Sequence, residues 1–225
     1  MMNRPTDLAL QEVQQLLDNK PPVERAVWYH ILSSEKWKKE FTKNVKRKCR
    51  DYLLNDDQEM VSVIDLLHQK YVEANNPVKK QIDNRLDSIL GDTKESIIQN
   101  DIVRKVCEVE RLSAIPEEKL VTWANVLGAL LAHDLKMAQI RRFMGAVLKV
   151  EVDVRLEGPE GFCKDQVVYL KVLLAYAAGR NKAVRPLLAV IDPMIDRIEG
   201  WKDFQQLVRF VRAVVAYHKF YGGNE

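Results

Sequence analysis

The sequence predicts an all-α protein, and three observations support this class. Apolar residues recur at spacings of three and four along nearly all of the 225 residues, whereas alternation with a period of two appears only at 150–156. Proline, glycine and Asn-Asp clusters interrupt this pattern at intervals that suit separate helices. The hydrophobic fraction of 47% is sufficient for a sizeable core, so a disordered chain is excluded.

The N-terminal half predicts a series of short helices. The first begins near Thr6 and stops before Pro21, and the second ends near Leu32. Asn and Asp residues at 55–57 are expected to cap a later helix, and Gly91-Asp92-Thr93 is expected to interrupt another. The remaining helical stretches are expected at 35–52, 57–74, 78–90 and 98–109.

The C-terminal half predicts a bundle of about five helices, and we divide the chain into 1–112, an additional N-terminal helical module, and 113–225. Proline followed by two glutamates at 116–118 has the composition of a helix start. Gly179 and Gly222 stand where a left-handed residue would end a helix, and 155–162 is the most loop-like stretch. The five helices are expected at 116–133, 137–150, 164–178, 182–198 and 202–221.

Composition excludes several classes of function. Cys49, Cys107 and Cys163 are too far apart in sequence for a zinc knuckle, and no apolar run approaches the roughly 20 residues that cross a bilayer. Phosphate-loop, dinucleotide and metalloprotease motifs are absent from the sequence, so no cofactor or metal is expected. These features favour a cytoplasmic protein with reduced thiols and no membrane contact.

The charge is modest overall but unevenly distributed. The net charge of +3 combines −1 over residues 1–110 with +4 over 111–225. Residues 36–50 nevertheless hold eight basic side chains and only Glu40 as an acid. This segment is either a solvated helix face or a phosphate-binding surface, because few acids cancel its field. The candidates for phosphate contact on it are Lys43, Lys46 and Arg47.

One enzymatic pattern is present in two copies. Arg25 with His30, and Arg212 with His218, match the loose R-x(4–6)-H pattern of HEPN ribonucleases, in which Arg holds phosphate and His transfers protons. A pattern of this degeneracy is expected to occur about once by chance in such a chain. A metal-independent ribonuclease and a merely packed pair of side chains therefore both remain open.

The aromatic residues predict core positions rather than a binding surface. They make up 8% of the chain, and no solvent-facing ladder of the kind that stacks single-stranded bases is evident. Any nucleic-acid binding is therefore expected to involve mainly the phosphate backbone and to be insensitive to sequence. Five aromatic residues of the C-terminal half lie on apolar stripes and are predicted to be core: Trp123, Phe143, Tyr176, Phe204 and Phe210.

Three segments of the C-terminal half carry a family resemblance. They are QIRRF at 139–143, LAYAAGR at 174–180 and FVRAVVAYHKFYGG at 210–223. In this order and spacing they resemble the small subunit of Csm-type (type III) CRISPR-Cas interference complexes. The resemblance covers roughly 115–223, and it leaves the role of 1–112 unassigned.

The resemblance implies a non-catalytic helical bundle present in several copies along a ribonucleoprotein filament. The implied partners are the guide RNA–target RNA duplex, the CRISPR backbone subunits and the large subunit, while base pairing reads the sequence. By position in the motifs, Arg141, Arg142 and Arg180 are the first candidates for phosphate contact. The second group is Lys182, Arg185 and Lys219. A helical adaptor that binds only proteins is the remaining alternative.

Overall fold

The structure, a computed structural model, describes residues 4–34, 36–39, 41–52, 54 and 57–223, and it omits the side chains of residues 4, 36, 41–43 and 159. Every regular element in this described part is helical, which confirms the predicted all-α class. None of the described helices combines the length and the apolar character needed to span a membrane. Two compact units are present, Met1–Ser96 and Ile97–Glu225.

The N-terminal unit consists of short helices with a shared apolar core. Its elements are α1 (Arg4–Asp18), α2 (Pro22–Leu32), α3 (Lys36–Lys39), α4 (Phe41–Asp51), α5 (Gln58–Glu73) and α6 (Asn76–Ser96). Trp28 on α2 is fully buried, and its indole N–H donates to Asp57 Oδ2 at 2.9 Å. Asp57 Oδ1 also accepts from the Met60 amide at 3.3 Å, which confirms the predicted cap at this position. The companion residues 55 and 56 lie outside the described part.

The C-terminal unit contains the five predicted helices. A π-helix (Ile97–Val103) and α7 (Arg104–Cys107) precede them. The five are α8 (Glu117–Leu131), α9 (Met137–Glu157), α10 (Lys164–Arg180), α11 (Arg185–Asp196) and α12 (Trp201–Phe220), and short 3₁₀ turns lie at Leu112–Ala114, Pro159–Gly161 and Lys182–Val184.

Three local expectations differ from the structure. No break occurs at Gly91, because α6 continues through it and buries Thr93, whose hydroxyl donates to the Ile89 carbonyl at 2.8 Å. Gly179 is helical rather than left-handed, and α10 ends one residue later. The expected loop at 155–162 is shorter, because α9 continues to Glu157. Gly222, with φ of +76°, does adopt the predicted left-handed conformation.

One buried carboxylate ties the start of α12 to the segment ahead of α8. Asp203 is fully buried, and its Oδ2 accepts from the amides of Glu199 and Gly200 at 3.0 and 3.2 Å. Its Oδ1 accepts from the Ser113 amide at 2.9 Å, and Arg111 donates to Oδ2 at 2.8 Å. Burial alone would raise the pKa of Asp203, but these donors outweigh it and lower that pKa to about 2.

Helices α8 and α12 run parallel and in close contact. Glu117 at the start of α8 pairs with Arg209 in the middle of α12, and the hydroxyl of Tyr221, just after α12, donates to Asn125 Oδ1 at 2.6 Å in the middle of α8. A Cβ atom added at Gly128 would lie 2.5 Å from Tyr217 Cβ and 2.9 Å from the His218 amide nitrogen. The absence of a side chain at 128 is therefore what permits this approach.

We predict that Gly128→Ala destabilises the chain by about 1–3 kcal/mol, because the added methyl group forces α8 and α12 apart. The control is Gly145→Ala on α9, where an added Cβ meets nothing within 4 Å. That change is expected to be neutral or to stabilise by up to about 1 kcal/mol. Urea unfolding followed by circular dichroism measures both, and equal midpoints for the two variants would contradict the prediction.

We predict that Asp203→Asn lowers the free energy of unfolding at pH 7 by about 2 kcal/mol, the value of a pKa held near 2 instead of near 4. The stability that this carboxylate supplies is present above pH 4 and is lost as pH falls from about 4 to 2. The variant should therefore lose less stability than the parent over that interval. Asp165→Asn, at an exposed aspartate, is the control.

Candidate nucleic-acid interface

All six predicted phosphate-contacting residues of the C-terminal unit are exposed, and five of them lie on α9 or between the end of α10 and the start of α11. Arg141 and Arg142 lie on the first half of α9, and Arg180 is the last residue of α10. Lys182 begins the 3₁₀ turn that follows, and Arg185 begins α11. We refer to these five residues as the cation cluster.

The five residues of the cation cluster have no acidic partner, in contrast to several other basic residues of the same unit. Within the described part of the chain, none of its five side chains forms an ion pair with a carboxylate. By contrast, Arg155 and Arg212 both donate to the buried Glu151, at 2.6 and 2.7 Å. Lys171 is held by Asp192 and Asp196 at 3.1 and 2.7 Å. The folded unit therefore neutralises some cations and leaves the cluster charged.

The sequence explains why the cluster has no carboxylate partner on its own helices. No Asp or Glu occurs in 135–150 or in 166–191, so α9 and α10 supply no acid at helical spacing to its arginines. With no local carboxylate to cancel it, the positive field extends into solvent and favours an anionic partner.

Two of these arginines line one cleft between α9, α10 and α11. The cleft has a volume of about 420 Å³, and both Arg142 and Arg180 lie on it. Asn181 lines this cleft and connects α9 to the turn after α10. Its side chain accepts from the Ala183 amide at 3.0 Å and donates to Gln139 Oε1 at 2.9 Å. The motifs at 139–143 and 174–180, separated in sequence, therefore meet in the fold.

The remaining candidates are placed elsewhere. Lys219 is exposed in the last turn of α12 and does not line the cleft. Lys46 and Arg47 are exposed on α4 in the N-terminal unit. The side chain of Lys43 lies outside the described part. In the same basic segment Lys38 is already paired with Asp83, at 2.9 Å.

The prediction that Tyr176 is a core residue is wrong. Trp123, Phe143, Phe204 and Phe210 are buried as expected, but the Tyr176 side chain is 68% exposed. It belongs to an outer face of α10 that also exposes Tyr169, Val172 and Leu173. A sequence signal existed for this face, because apolar residues on α10 cover more than the single stripe that a helix buries.

Comparison with known proteins agrees with the motif order. Residues 114–224 match the family described as Csm2 Type III-A. These residues, just under half of the chain, are thus similar to the Csm2 family, and we call them the Csm2 domain. This confirms the predicted resemblance to a Csm-type small subunit.

A curated relative gives a partial match. The protein named "CRISPR system Cms protein Csm2" from Streptococcus thermophilus is 40% identical over 63 residues, which is 27% of this chain and 52% of that protein. The aligned segment therefore spans about half the length of the relative. No solved structure matches the chain significantly.

The Csm2 domain does not present Arg212 and His218 as a catalytic pair. His218 is fully buried, and its Nε2 lies 2.8 Å from the Leu135 carbonyl oxygen. The Arg212 guanidinium donates to Glu151 Oε2 at 2.7 Å. The other match is similar, because His30 is buried in the N-terminal unit and lies 3.4 Å from the Tyr52 hydroxyl. Neither histidine is placed to exchange a proton with a substrate in solvent.

We predict that His218 makes the Csm2 domain less stable in mild acid. Burial lowers the pKa of His218, although the hydrogen bond to Leu135 opposes this shift. The unfolded chain therefore binds a proton first, and stability falls as pH drops through the ordinary histidine value of about 6.5. His218→Gln keeps a donor and does not titrate, so its free energy of unfolding should fall less between pH 7.5 and 5. Identical pH profiles for parent and variant would rule out this role.

Proposed function

We propose that this chain is a non-catalytic small subunit of a type III CRISPR-Cas ribonucleoprotein complex, and that it contacts the guide–target RNA backbone through the cation cluster. The match of residues 114–224 to the Csm2 family supports the assignment to such a complex. The observation that carries the RNA contact is that five exposed cations lack acidic partners in the described part of the chain.

The physical character of the cluster suits this role. Arginine and lysine contacts to phosphate release counterions and supply affinity without reading bases. A subunit of an RNA-guided complex needs contacts of this kind, because base pairing between guide and target carries the sequence information. The histidine of each matched Arg–His motif is buried, which supports a structural rather than an enzymatic role.

The proposed partners follow from the same assignment. Several copies of the subunit would line the filament beside the backbone subunits and the large subunit. The N-terminal helices would add a surface beyond the Csm2 domain, to a neighbouring subunit or, through Lys43, Lys46 and Arg47, along the nucleic-acid path. Localisation in the cytoplasm follows from the proposed complex.

We predict that the triple variant Arg141→Gln, Arg142→Gln, Arg180→Gln binds duplex RNA about 10- to 1,000-fold more weakly than the parent at low salt. Three lost phosphate contacts should also reduce the slope of log affinity against log salt by about three. Fluorescence anisotropy across a salt series measures both, and circular dichroism verifies that the helical fold is retained.

The matched control is Arg104→Gln, Lys164→Gln, Arg209→Gln. These three exposed cations each pair with a glutamate of the same unit, so the control loses the same formal charge from residues that are already neutralised. It should bind RNA nearly as the parent does. Equal losses in the two triple variants would show that net charge and not the cluster governs binding. A parent without salt-sensitive RNA binding would favour the protein-only adaptor.

A further inference from the structure

The cleft between α9, α10 and α11 has an apolar wall in addition to its two arginines. This wall includes Phe143, Leu173, Leu174 and Leu187. Its volume of about 420 Å³ is at the small end of the roughly 300–1,000 Å³ typical of ligand sites. A space of this size suits one nucleotide unit rather than a continuous duplex.

Tyr176 supplies an aromatic surface at this cleft. The ring lines the cleft and is 68% exposed, although an apolar ring of this size is more stable when covered. The Arg180 guanidinium lies over the ring, 5.8 Å from its centroid, so a cation already contacts one face of the ring. An aromatic ring next to an arginine is the combination that stacks a base and holds its phosphate.

A hydrogen-bond donor is also available in the cleft. The Ala183 amide fixes Asn181 so that its amide nitrogen points to Gln139, and Gln139 therefore uses its oxygen in that bond. The Gln139 NH₂ group has no partner among the described residues and can donate to an acceptor on a base edge.

We infer that this cleft binds a single unstacked base of an RNA strand. The base stacks on Tyr176 against the apolar wall, Gln139 donates to its edge, and Arg142 and Arg180 hold the flanking phosphates. This inference rests on the proposed RNA contact, and it adds a contact to a base that cationic side chains alone do not provide.

The test uses the full chain and two labelled single-stranded RNA 20-mers, one complete and one abasic at every position with the same number of phosphates. Tyr176→Ala should weaken binding of the complete RNA by about 10-fold, in line with the loss of one stacked base. It should leave binding of the abasic RNA and the salt slope unchanged. Tyr176→Trp, which retains a stacking surface, should restore affinity.

The matched control is Tyr169→Ala. Tyr169 is 60% exposed on the same helix but does not line the cleft, so its loss should not change RNA affinity. If the parent binds RNA with a steep salt slope and Tyr176→Ala does not alter affinity, the base site is wrong while the proposed RNA contact stands. If Tyr176→Ala alters only association with protein subunits, the surface is a protein-docking face and the inference is overturned. Absence of any salt-dependent RNA binding in the parent would overturn both proposals.

Discussion

The buried carboxylate of Asp203 is the interaction on which the C-terminal unit depends. It accepts from the two amides just ahead of α12 and from the Ser113 amide ahead of α8, so the segments that lead into both helices are held by one carboxylate. From there they run parallel, and Gly128 lets them stay in contact over their length. Helix α12 in turn presents Arg212 to Glu151 and so fixes one side of α9. The opposite side of α9 is left to form the cleft.

Local chemistry made most of the helices predictable. Apolar spacing places a helix, while Asp57 and the residues around Pro116 fix where one begins, and all of these signals act within a few residues. Glycine is the least reliable indicator of a helix end, because the free energy it costs within a helix is only about 1 kcal/mol and packing can outweigh it. Thus α6 passes through Gly91, and Gly179 is helical, whereas Gly222 does adopt a left-handed conformation.

The candidate interface was only partly predictable for a different reason. Motif positions identified Arg142 and Arg180, but which arginines stay charged depends on acids that fold against them from distant parts of the chain. Glu151 neutralises Arg212 from sixty-one residues away, and no local pattern reveals this. Apolar spacing predicts a core position for Tyr176 because it does not distinguish the buried face of α10 from its exposed face. The cleft itself follows from the packing of three helices.

The position of Glu151 makes the distribution of charge around α9 asymmetric. It lies nine residues, or two and a half helical turns, from Arg142, and so on the opposite side of α9. On one side of this helix two arginines share the carboxylate of Glu151, whereas among the described residues Arg142 on the other side has no carboxylate partner. A polyanion diffusing nearby experiences a torque before it touches the protein, because the field acts over about 10 Å at moderate ionic strength. If RNA binds as proposed, the folded location of this one glutamate would affect the orientation and the rate of first encounter before any contact is made.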